Sequence, residues 1–251
     1  MIGCGSMGGG MAMLFAEKGL HVSLSDPSED AINKIIKDAE KVNFGDRVHK
    51  SKDYKDFCAQ LGTPKVIVFS LPHGDVGDKV LAGLLPYLKK GDIILDAGNE
   101  NYTNTERRQG QTCTKGIRYV GVGVSGGYQA ARRGPSMCPG ADEQTLEMIM
   151  PLLETVAAKD KDGKPCVARC GLGGSGHYVK MIHNGIEHGM MSAIAEAWKI
   201  MSAGLGMSDD EIGEVFQRWN EKGELVRLVW LSRATNVRRV SRRLTRFLVC
   251  A

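Results

Sequence analysis

The sequence predicts an α/β fold in which a doubly wound parallel sheet is followed by the start of an all-helical domain. Three observations support this class. Short apolar runs alternate with amphipathic stretches, as in βαβ units. A glycine-rich segment, GCGSMG, opens the chain, and a long helical segment covers about residues 175–203. The glycine-rich segment and the alternation together are typical of a Rossmann-like sheet with helices on both faces.

The strands are predicted from the apolar runs. Only Met1 and Ile2 precede the glycine-rich segment, so most of the central strand of such a sheet is expected to be missing. A helix at residues 11–18 follows the glycines. Further apolar runs predict strands at residues 21–25, 65–71, 93–96 and 119–124.

The helices are predicted from amphipathic stretches between and after these strands. Such stretches lie at residues 31–41, 76–89, 103–115 and 143–156. Pro27 and Ser28 introduce the first of these helices, and Gly91 ends the second. Ser208 and Glu211 form a capping-box pattern, which predicts that a last helix begins there and continues to about residue 220.

The composition restricts the class of protein. Of the 251 residues, 42% are hydrophobic and 25% are charged, and these ordinary values exclude disordered, collagen-like and membrane-spanning classes. The first residues lack the basic stretch of a secretory signal, which predicts a cytoplasmic protein. The seven scattered cysteines favour free thiols, and their spacing does not match a zinc site. We therefore expect no bound metal.

The glycine-rich segment has the spacing of a dinucleotide-binding loop. Gly3 allows a tight turn, Gly5 lets a pyrophosphate approach the backbone, and Gly8 packs the following helix on the sheet. Asp26 stands about where an acid meets the adenosine ribose, and this favours NAD because a carboxylate repels the 2′-phosphate of NADP. The alternative is that Asp26 forms an Asx turn or caps the following helix.

Four polar residues share one face of the long helical segment. Lys180, His183, Asn184 and Glu187 lie at offsets of three, four and seven within KMIHNGIEHG, so one helix presents a base, an acid and two polar anchors. The alternative is that the charges are solvated and that His183 is structural. A second small-residue turn is expected at residues 120–127. Together these segments suggest nicotinamide-dependent oxidation of a sugar acid.

Several segments of the chain point to one family when they are taken together. They are GCGSMG, AGN at residues 97–99, GVSGG with the nearby ARRGPSMCPGA, and KMIHNGIEHG. In this combination the chain resembles the 6-phosphogluconate dehydrogenase family over about residues 1–224. Related β-hydroxyacid dehydrogenases share the glycine motifs and the helical lysine, and they are the alternative family.

The resemblance implies the activity. The chain would oxidise and decarboxylate 6-phosphogluconate to ribulose 5-phosphate with reduction of NADP, as an oxidoreductase of the oxidative pentose phosphate pathway and of gluconate utilization. Lys180 matches the general base that acts on the 3-hydroxyl, and Glu187 matches the acid that protonates C1 of the enediol. Substrate contacts are implied at Asn99, Ser125, Gly126, Gly127, His183, Asn184 and His188. Apart from the resemblance, Asn99 and Ser125 could equally be turn formers at strand ends.

The resemblance also implies the cofactor contacts. They fall on Gly3, Gly5, Ser6, Met7, Gly8, Asp26, Pro27, Ser28, Leu71, Pro72, His73 and Asn99. The chain departs from the family pattern at residues 26–28, which replace Asn-Arg-Thr, and at residues 71–74, which replace Val-Lys-Ala-Gly. On the substrate side, Tyr128 replaces a glutamate and His188 replaces a tyrosine. NADP is therefore the cofactor by family, and NAD is possible from Asp26.

We expect three parts along the chain. Residues 1–172 form a dinucleotide-binding domain, residues 173–224 begin a helical substrate and dimerisation domain, and residues 225–251 are an aberrant basic tail. Residues 226–251 contain seven arginines and no acid, and they account for the excess of positive charge. We interpret this tail as translation in the wrong frame or through an intron. The alternative is a basic amphipathic helix for a membrane surface or nucleic acid.

The expected partner is a small sugar phosphate acid, without nucleic acid or membrane. The family forms homodimers through its helical domain, and we do not expect that dimer for this chain. The alternative function is a catalytically silent fragment that binds dinucleotide, or a peripheral binding protein that acts through its tail.

Overall fold

The computed structural model of the chain describes residues 1–222. It forms two compact units, one of residues 1–181 and one that begins at Ile182. The helices are α1 (Ser6–Glu17), α2 (Glu29–Lys41), α3 (Tyr54–Ala59), α4 (Asp75–Leu84), α5 (Tyr102–Cys113), α6 (Gly127–Arg133), α7 (Glu143–Val156), α8 (Ser175–Lys199) and α9 (Asp209–Lys222). The strands are β1 (Val22–Leu24), β2 (Val48–Lys50), β3 (Val66–Phe69), β4 (Ile93–Asp96), β5 (Arg118–Ser125) and β6 (Ser136–Gly140).

The strands form a largely parallel sheet. β1 pairs with β2, and β3, β4 and β5 pair in that order, all in parallel, with Val66 opposite Ile93. Ile2 connects the two groups, because it forms parallel bridges to Ser25 on one side and to Phe69 on the other. This arrangement confirms the predicted doubly wound, Rossmann-like sheet.

The first residues occupy the centre of the sheet. The N–H group of Ile2 donates to the carbonyl of Val68 at 2.8 Å, and the carbonyl of Ile2 accepts from Ser70 at 2.8 Å. On the other side, the N–H group of Gly3 donates to the carbonyl of Ser25 at 3.0 Å. The central position of the sheet is therefore held by a very short segment.

The edge strand β6 departs from the predicted parallel order. It is antiparallel to β5, with Gly121 opposite Gly140. Its sequence, SMCPG, has no clear alternation and contains Pro139, which an edge strand tolerates because one side of the backbone needs no ladder partner. Three other elements were not predicted, because β2, α3 and α6 have only three, six and seven residues.

The core lies on both faces of the sheet. Val68 and Leu95 point to one face, where they join a cluster that includes the apolar residues of α1, α2 and α7. Ile67, Phe69 and Ile94 point to the other face, where they pack with residues of α3 and α4. Because successive side chains of a strand alternate between faces, nearly continuous apolar strands require helices on both sides.

The predicted helices are found, with adjusted ends. α2 begins at Glu29 because the hydroxyl of Ser28 accepts a hydrogen bond from the N–H group of Ala31 at 3.3 Å. The helix predicted at residues 76–89 ends at Leu84 and continues as a 3₁₀ turn at Leu85–Tyr87. The long helix is α-helical to Lys199 and ends in a π-helical turn at Ile200–Gly204.

The second unit is helical, as predicted. The capping box forms, since Ser208 donates to the Glu211 carboxylate at 2.8 Å from both its N–H group and its hydroxyl. Ile212 and Phe216 on α9 pack with Met201 as a small core. Among residues 1–222, no helix is long and apolar enough to span a membrane. The basic tail predicted at residues 225–251 lies outside the described residues.

Candidate active site

An open cleft of about 1050 Å³ lies in the first unit at the carboxyl ends of the parallel strands. Ser25 follows β1, Ser70 follows β3 and Ala97 follows β4, and all three line it. The predicted cofactor residues that line the cleft are Gly3, Gly5, Ser6, Met7, Asp26, Pro27, Leu71, Pro72, His73 and Asn99. Gly8 and Ser28, also predicted, are not among the residues that line it.

The glycine loop is shaped as a cradle. Gly3 has a φ of 91°, and a Cβ atom there would overlap the carbonyl oxygen of Ser70. A Cβ atom on Gly8 would overlap the carbonyl oxygen of Gly3, which explains why no larger residue fits where α1 meets the loop. A Cβ atom on Gly5 would meet no atom within 4 Å. The loop therefore leaves open space at the position where a pyrophosphate approaches the backbone.

The beginning of α1 borders this cradle. Its N-cap is Gly5, which supplies no side-chain hydrogen bond. The first N–H groups of a helix have no partners within the helix, and together with the helix dipole they attract an anion. Ser6 and Met7 in this first turn line the cleft. The loop and helix thus fit the pyrophosphate of a dinucleotide.

Asp26 is tied to the backbone on two sides. One carboxylate oxygen accepts from the N–H group of Cys4 in the glycine loop at 2.6 Å, and the other accepts from Ser28 at 2.8 Å. The second bond is the Asx turn that was the alternative interpretation, and the helix cap is supplied by Ser28 rather than by Asp26. Asp26 also lines the cleft. Ribose recognition by Asp26 stays a prediction.

Most of the segment at residues 120–127 is strand, in agreement with the strand predicted at residues 119–124, and the turn expected from its small residues is limited to its end. β5 extends through Ser125, and only Gly126, with a φ of 117°, makes the turn into α6, which begins at Gly127. Alternating valines and glycines let β5 bury valines on one face and accept a close neighbour on the other. The three predicted substrate residues therefore lie together at the carboxyl end of β5.

The helix that carries Lys180 is that close neighbour. A Cβ atom on Gly123 would lie 2.7 Å from the carbonyl oxygen of Gly176 and 2.7 Å from Lys180 Cβ. Gly176 in turn approaches the backbone of β5 and β6 so closely that it has no room for a side chain. Lys180 is 9% exposed, and Val124, the residue after Gly123, lines the cleft. Lys180 is therefore buried beside the strand that borders the cleft.

The Cys138 thiol fills the space between β5, β6 and α8. It lies 3.4 Å from the carbonyl oxygen of Gly123 and 3.5 Å from that of Gly176. Burial raises the pKa of Cys138 to about 11, so the thiol is protonated at neutral pH.

The described residues contain no group of three or more acidic, histidine or cysteine side chains that suits a metal ion.

The other predicted residues of α8 belong to the second unit. His183 Nδ1 lies 3.3 Å from the amide oxygen of Asn184 and 3.4 Å from a carboxylate oxygen of Glu187. These three side chains are half-buried, and His188 is exposed. They form a polar cluster along one stretch of α8.

Three residues of the site region were missed by sequence analysis. Asp53 and Tyr54 line the cleft at the start of α3, which is too short to show a helical period. His177 is 1% exposed, and its Nδ1 lies 2.6 Å from the hydroxyl of Thr105. Burial lowers the pKa of His177, which keeps the ring neutral. The signal for His177 was its spacing of three residues before Lys180 on one helix.

Two family models match consecutive parts of the chain. Residues 1–171 match the NAD-binding domain of 6-phosphogluconate dehydrogenase. Residues 176–239 match the C-terminal domain of 6-phosphogluconate dehydrogenase. The second match continues beyond residue 224, where the sequence resemblance was expected to end.

Curated relatives share the same family name. The chain is 49% identical over 224 residues to the decarboxylating 6-phosphogluconate dehydrogenase of Emericella nidulans, covering 87% of this chain and 45% of that protein. It is 40% identical over 225 residues to the NADP(+)-dependent decarboxylating enzyme of Bacillus subtilis, covering 90% of this chain and 47% of the relative. The chain thus spans about half the length of the curated relatives it matches.

Solved structures have the same fold. The 6-phosphogluconate dehydrogenase of Plasmodium falciparum matches with a TM-score of 0.81 and 34% identity, over 88% of this chain and 46% of that one. It was solved without ligands, with its cofactor NADP+ and with its substrate 6-phosphogluconate. The family model for the NAD-binding domain covers more than half of the present chain. The chain belongs to the 6-phosphogluconate dehydrogenase family.

Proposed function

We propose that the chain catalyses the oxidative decarboxylation of 6-phosphogluconate to ribulose 5-phosphate, with NADP as its cofactor and NAD as the alternative. The observation that carries this proposal is the position of Lys180. The side chain of the buried residue Lys180 begins against Gly123, and the next residue of that strand, Val124, lines a cleft with a dinucleotide-type glycine loop. A base beside a dinucleotide cleft is what dehydrogenation of an alcohol requires.

The cofactor supplies a hydride acceptor when it is bound. The backbone of the glycine loop and the first turn of α1 would hold its pyrophosphate, since Gly5 leaves the approach open. Asp26, Pro27 and Asp53 line the cleft and would meet the adenosine part. Two of these residues are acidic, which is the reason to test NAD beside NADP.

Lys180 would act as a base, then as an acid, and then as a base again. As a neutral amine it takes the proton of the substrate 3-hydroxyl while C3 loses its hydride, which leaves a β-keto acid. As an ammonium group it then returns the proton to the ketone oxygen while the bond between C1 and C2 breaks and carbon dioxide leaves. Glu187, seven residues further along α8, would then donate a proton to the carbon that has lost the carboxylate, which is C1 of the ribulose product, while the hydroxyl on the neighbouring carbon gives its proton back to the neutral amine of Lys180. Asn99, Ser125, Gly126, Gly127, His183, Asn184 and His188 would bind the sugar acid.

The test compares two lysines on the same helix. Lys180→Met keeps the apolar stem and removes the amine, so kcat should fall by about 10³-fold, as expected for loss of an acid–base group. Lys199→Met is the matched control, because Lys199 is an exposed residue of α8. Turnover is followed as reduced-cofactor absorbance, and NADP binding is measured separately by calorimetry. An active Lys180→Met variant would refute the assignment of the base.

A further inference from the structure

Arg108 contacts residues that adjoin the cleft lining, Gly74 and Asp96, and is fully buried at 1% exposure. Its guanidinium binds Asp78 through two bonds of 3.1 and 3.3 Å and Glu100 through one of 2.8 Å. It also donates to the main-chain carbonyl of Gly74 at 2.8 Å and lies 3.5 Å from Asp96. Removing a charge from water costs free energy, which only several well-placed partners offset. The partners of Arg108 therefore indicate which parts of the chain it holds in place.

The backbone of Gly74 is held from two sides by this ion pair. Its carbonyl accepts from Arg108, and its N–H group donates to the Glu100 carboxylate at 2.9 Å. The other oxygen of Glu100 accepts from the N–H group of Asn101 at 2.8 Å and from the side chain of Asn104 at 2.9 Å. Glu100 is therefore fixed to the start of α5, and Gly74 is fixed to Glu100.

The same guanidinium reaches both walls of the cleft. Residues 71–73, which line one wall, directly precede Gly74. The second wall is the turn at residues 97–99, which follows Asp96. One oxygen of Asp96 accepts from Gly98 at 3.2 Å, and the other faces Arg108 and accepts from the Tyr119 hydroxyl at 2.6 Å.

Gly74 has a backbone conformation that depends on external support. Its φ of 88° and ψ of −143° are accessible almost only to glycine. A Cβ atom there would meet nothing within 4 Å, so space is not the reason for a glycine. A glycine is needed there because the chain changes direction at Gly74, between the cleft-lining residues 71–73 and the start of α4.

We propose that Arg108 and Glu100 are positioning residues that fix the Gly74 peptide and thereby set the shape of the cofactor cleft. This inference rests on the proposed function, since it assumes that the cleft binds a dinucleotide. Neither side chain needs to touch the cofactor, because both act through the backbone of residues 71–74. The preformed wall lowers the ordering cost of binding.

The first test uses Arg108→Lys, which keeps the charge but loses the forked geometry that reaches Gly74, Glu100 and Asp78 together. We expect the dissociation constant for NADP, measured by calorimetry, to rise about tenfold. Arg107→Lys is the control, because the hydrogen bonds of Arg107 in the described part of the chain go to Asp78 and Asn104. It should bind NADP like the parent. Parent affinity in Arg108→Lys, or equal losses in both variants, would overturn the proposal.

A second variant acts on the backbone alone. Gly74→Ala strains the conformation without any steric clash, so it should weaken NADP binding as Arg108→Lys does. Both changes release the same peptide. The dissociation constant of the double variant for NADP should therefore be no higher than that of the single variant that binds NADP less tightly. Independent losses that multiply in the double variant would show that Arg108 does not act through Gly74.

A third readout separates this proposal from the proposed function. Amide hydrogen exchange of a peptide that covers residues 71–74 should be at least about threefold faster in Arg108→Lys than in Arg107→Lys, with no ligand added. Unchanged exchange would overturn the positioning role. If exchange responds as expected but the parent chain does not bind NADP or NAD, then Arg108 does fix the Gly74 peptide, and the proposed dinucleotide function is wrong.

Discussion

Asp26 stabilises the glycine loop and borders the cleft at the same time. Its carboxylate joins Cys4 in the loop to Ser28 at the start of α2, and both bonds go to backbone N–H groups. Each carboxylate oxygen can accept a second hydrogen bond, so these contacts do not prevent a contact to a ribose hydroxyl. Its negative charge lies at the cleft and would oppose a 2′-phosphate bound beside it.

Replacing Asp26 should therefore change the cofactor preference. In Asp26→Asn, the dissociation constant for NADP should fall relative to that for NAD by about tenfold, because the repulsion of the 2′-phosphate is removed. Calorimetric titration with each dinucleotide measures this ratio. Asp30→Asn is a matched control, since Asp30 is exposed on α2 and makes the same change of net charge. A ratio that stays constant, or that changes equally in the control, would contradict this role.

His177 should make stability depend on pH. Because burial lowers the pKa of the folded ring below the ordinary value of 6.5, the unfolded chain binds a proton more readily than the folded chain. The free energy of unfolding should therefore decrease as the pH falls below this value. Between about pH 7.5 and pH 5.5, the loss from this group is at most about 1.4 kcal/mol, the value reached if the folded ring stays neutral throughout.

Urea unfolding of the parent and of His177→Asn at both pH values tests this prediction. The variant lacks the titrating ring, so its stability should fall less over the same interval. Asp78 and Glu100 have pKa values held down by their arginine and amide partners, and their acid-induced loss belongs to lower pH. Equal slopes in the two proteins would show that His177 does not titrate in this way.

At the scale of elements, the contact of α8 with β5 and β6 is made by glycines. Gly121 and Gly123 on β5, Gly140 on β6 and Gly176 on α8 bring backbone against backbone. This close approach positions Lys180, because the Cβ atom of Lys180 lies next to the space that a side chain at Gly123 would fill. The alternating glycines of VGVGVSGG thus serve helix packing as well as the turn that follows.

Adding a methyl group where β5 meets α8 should lower the free energy of unfolding. Gly123→Ala would bring the new Cβ against Cys138 and Gly176, and we expect a loss of about 1–3 kcal/mol in the free energy of unfolding together with lower turnover. Gly110→Ala is the control, because Gly110 is an exposed residue of α5 whose added Cβ meets nothing within 4 Å. The control should be neutral or more stable by up to about 1 kcal/mol. Equal unfolding midpoints in urea would contradict the packing argument.

The main elements could be predicted because their patterns are local. β4 and α7 have the predicted limits, since an apolar run and an amphipathic period each end at clear breakers. The short elements β2, α3 and β6 could not be predicted, because they are shaped by contacts distant in sequence. This is also why Asp53 and Tyr54 were missed as cleft residues.

The buried polar network was beyond sequence reasoning for a similar reason. Arg108 lies in the polar stretch YTNTERRQGQTC, where nothing distinguishes it from its exposed neighbour Arg107. Its burial follows from the approach of Gly77, which leaves room for the guanidinium only because it has no side chain. In contrast, the spacing of the glycine loop and of the lysine motif is visible in the sequence alone; Gly3 and Gly5 line the cleft, and the roles of Lys180 and Glu187 stay predictions.

For the whole molecule, the chain combines a Rossmann-like unit with helices of a second unit, and it belongs to the 6-phosphogluconate dehydrogenase family. It spans about half the length of its curated relatives. The cleft, the glycine loop and Lys180 all lie in the unit of residues 1–181. The central claim is that this chain performs both oxidation and decarboxylation.

One measurement tests this claim most directly. The full chain is incubated with 6-phosphogluconate and with NADP or NAD, and reduced cofactor and released carbon dioxide are quantified in the same sample. We predict that the two products form in equal amounts. Reduced cofactor without carbon dioxide would indicate a simple hydroxyacid dehydrogenase. Neither product, from folded protein that binds the cofactor, would contradict the proposed activity and leave a dinucleotide-binding protein.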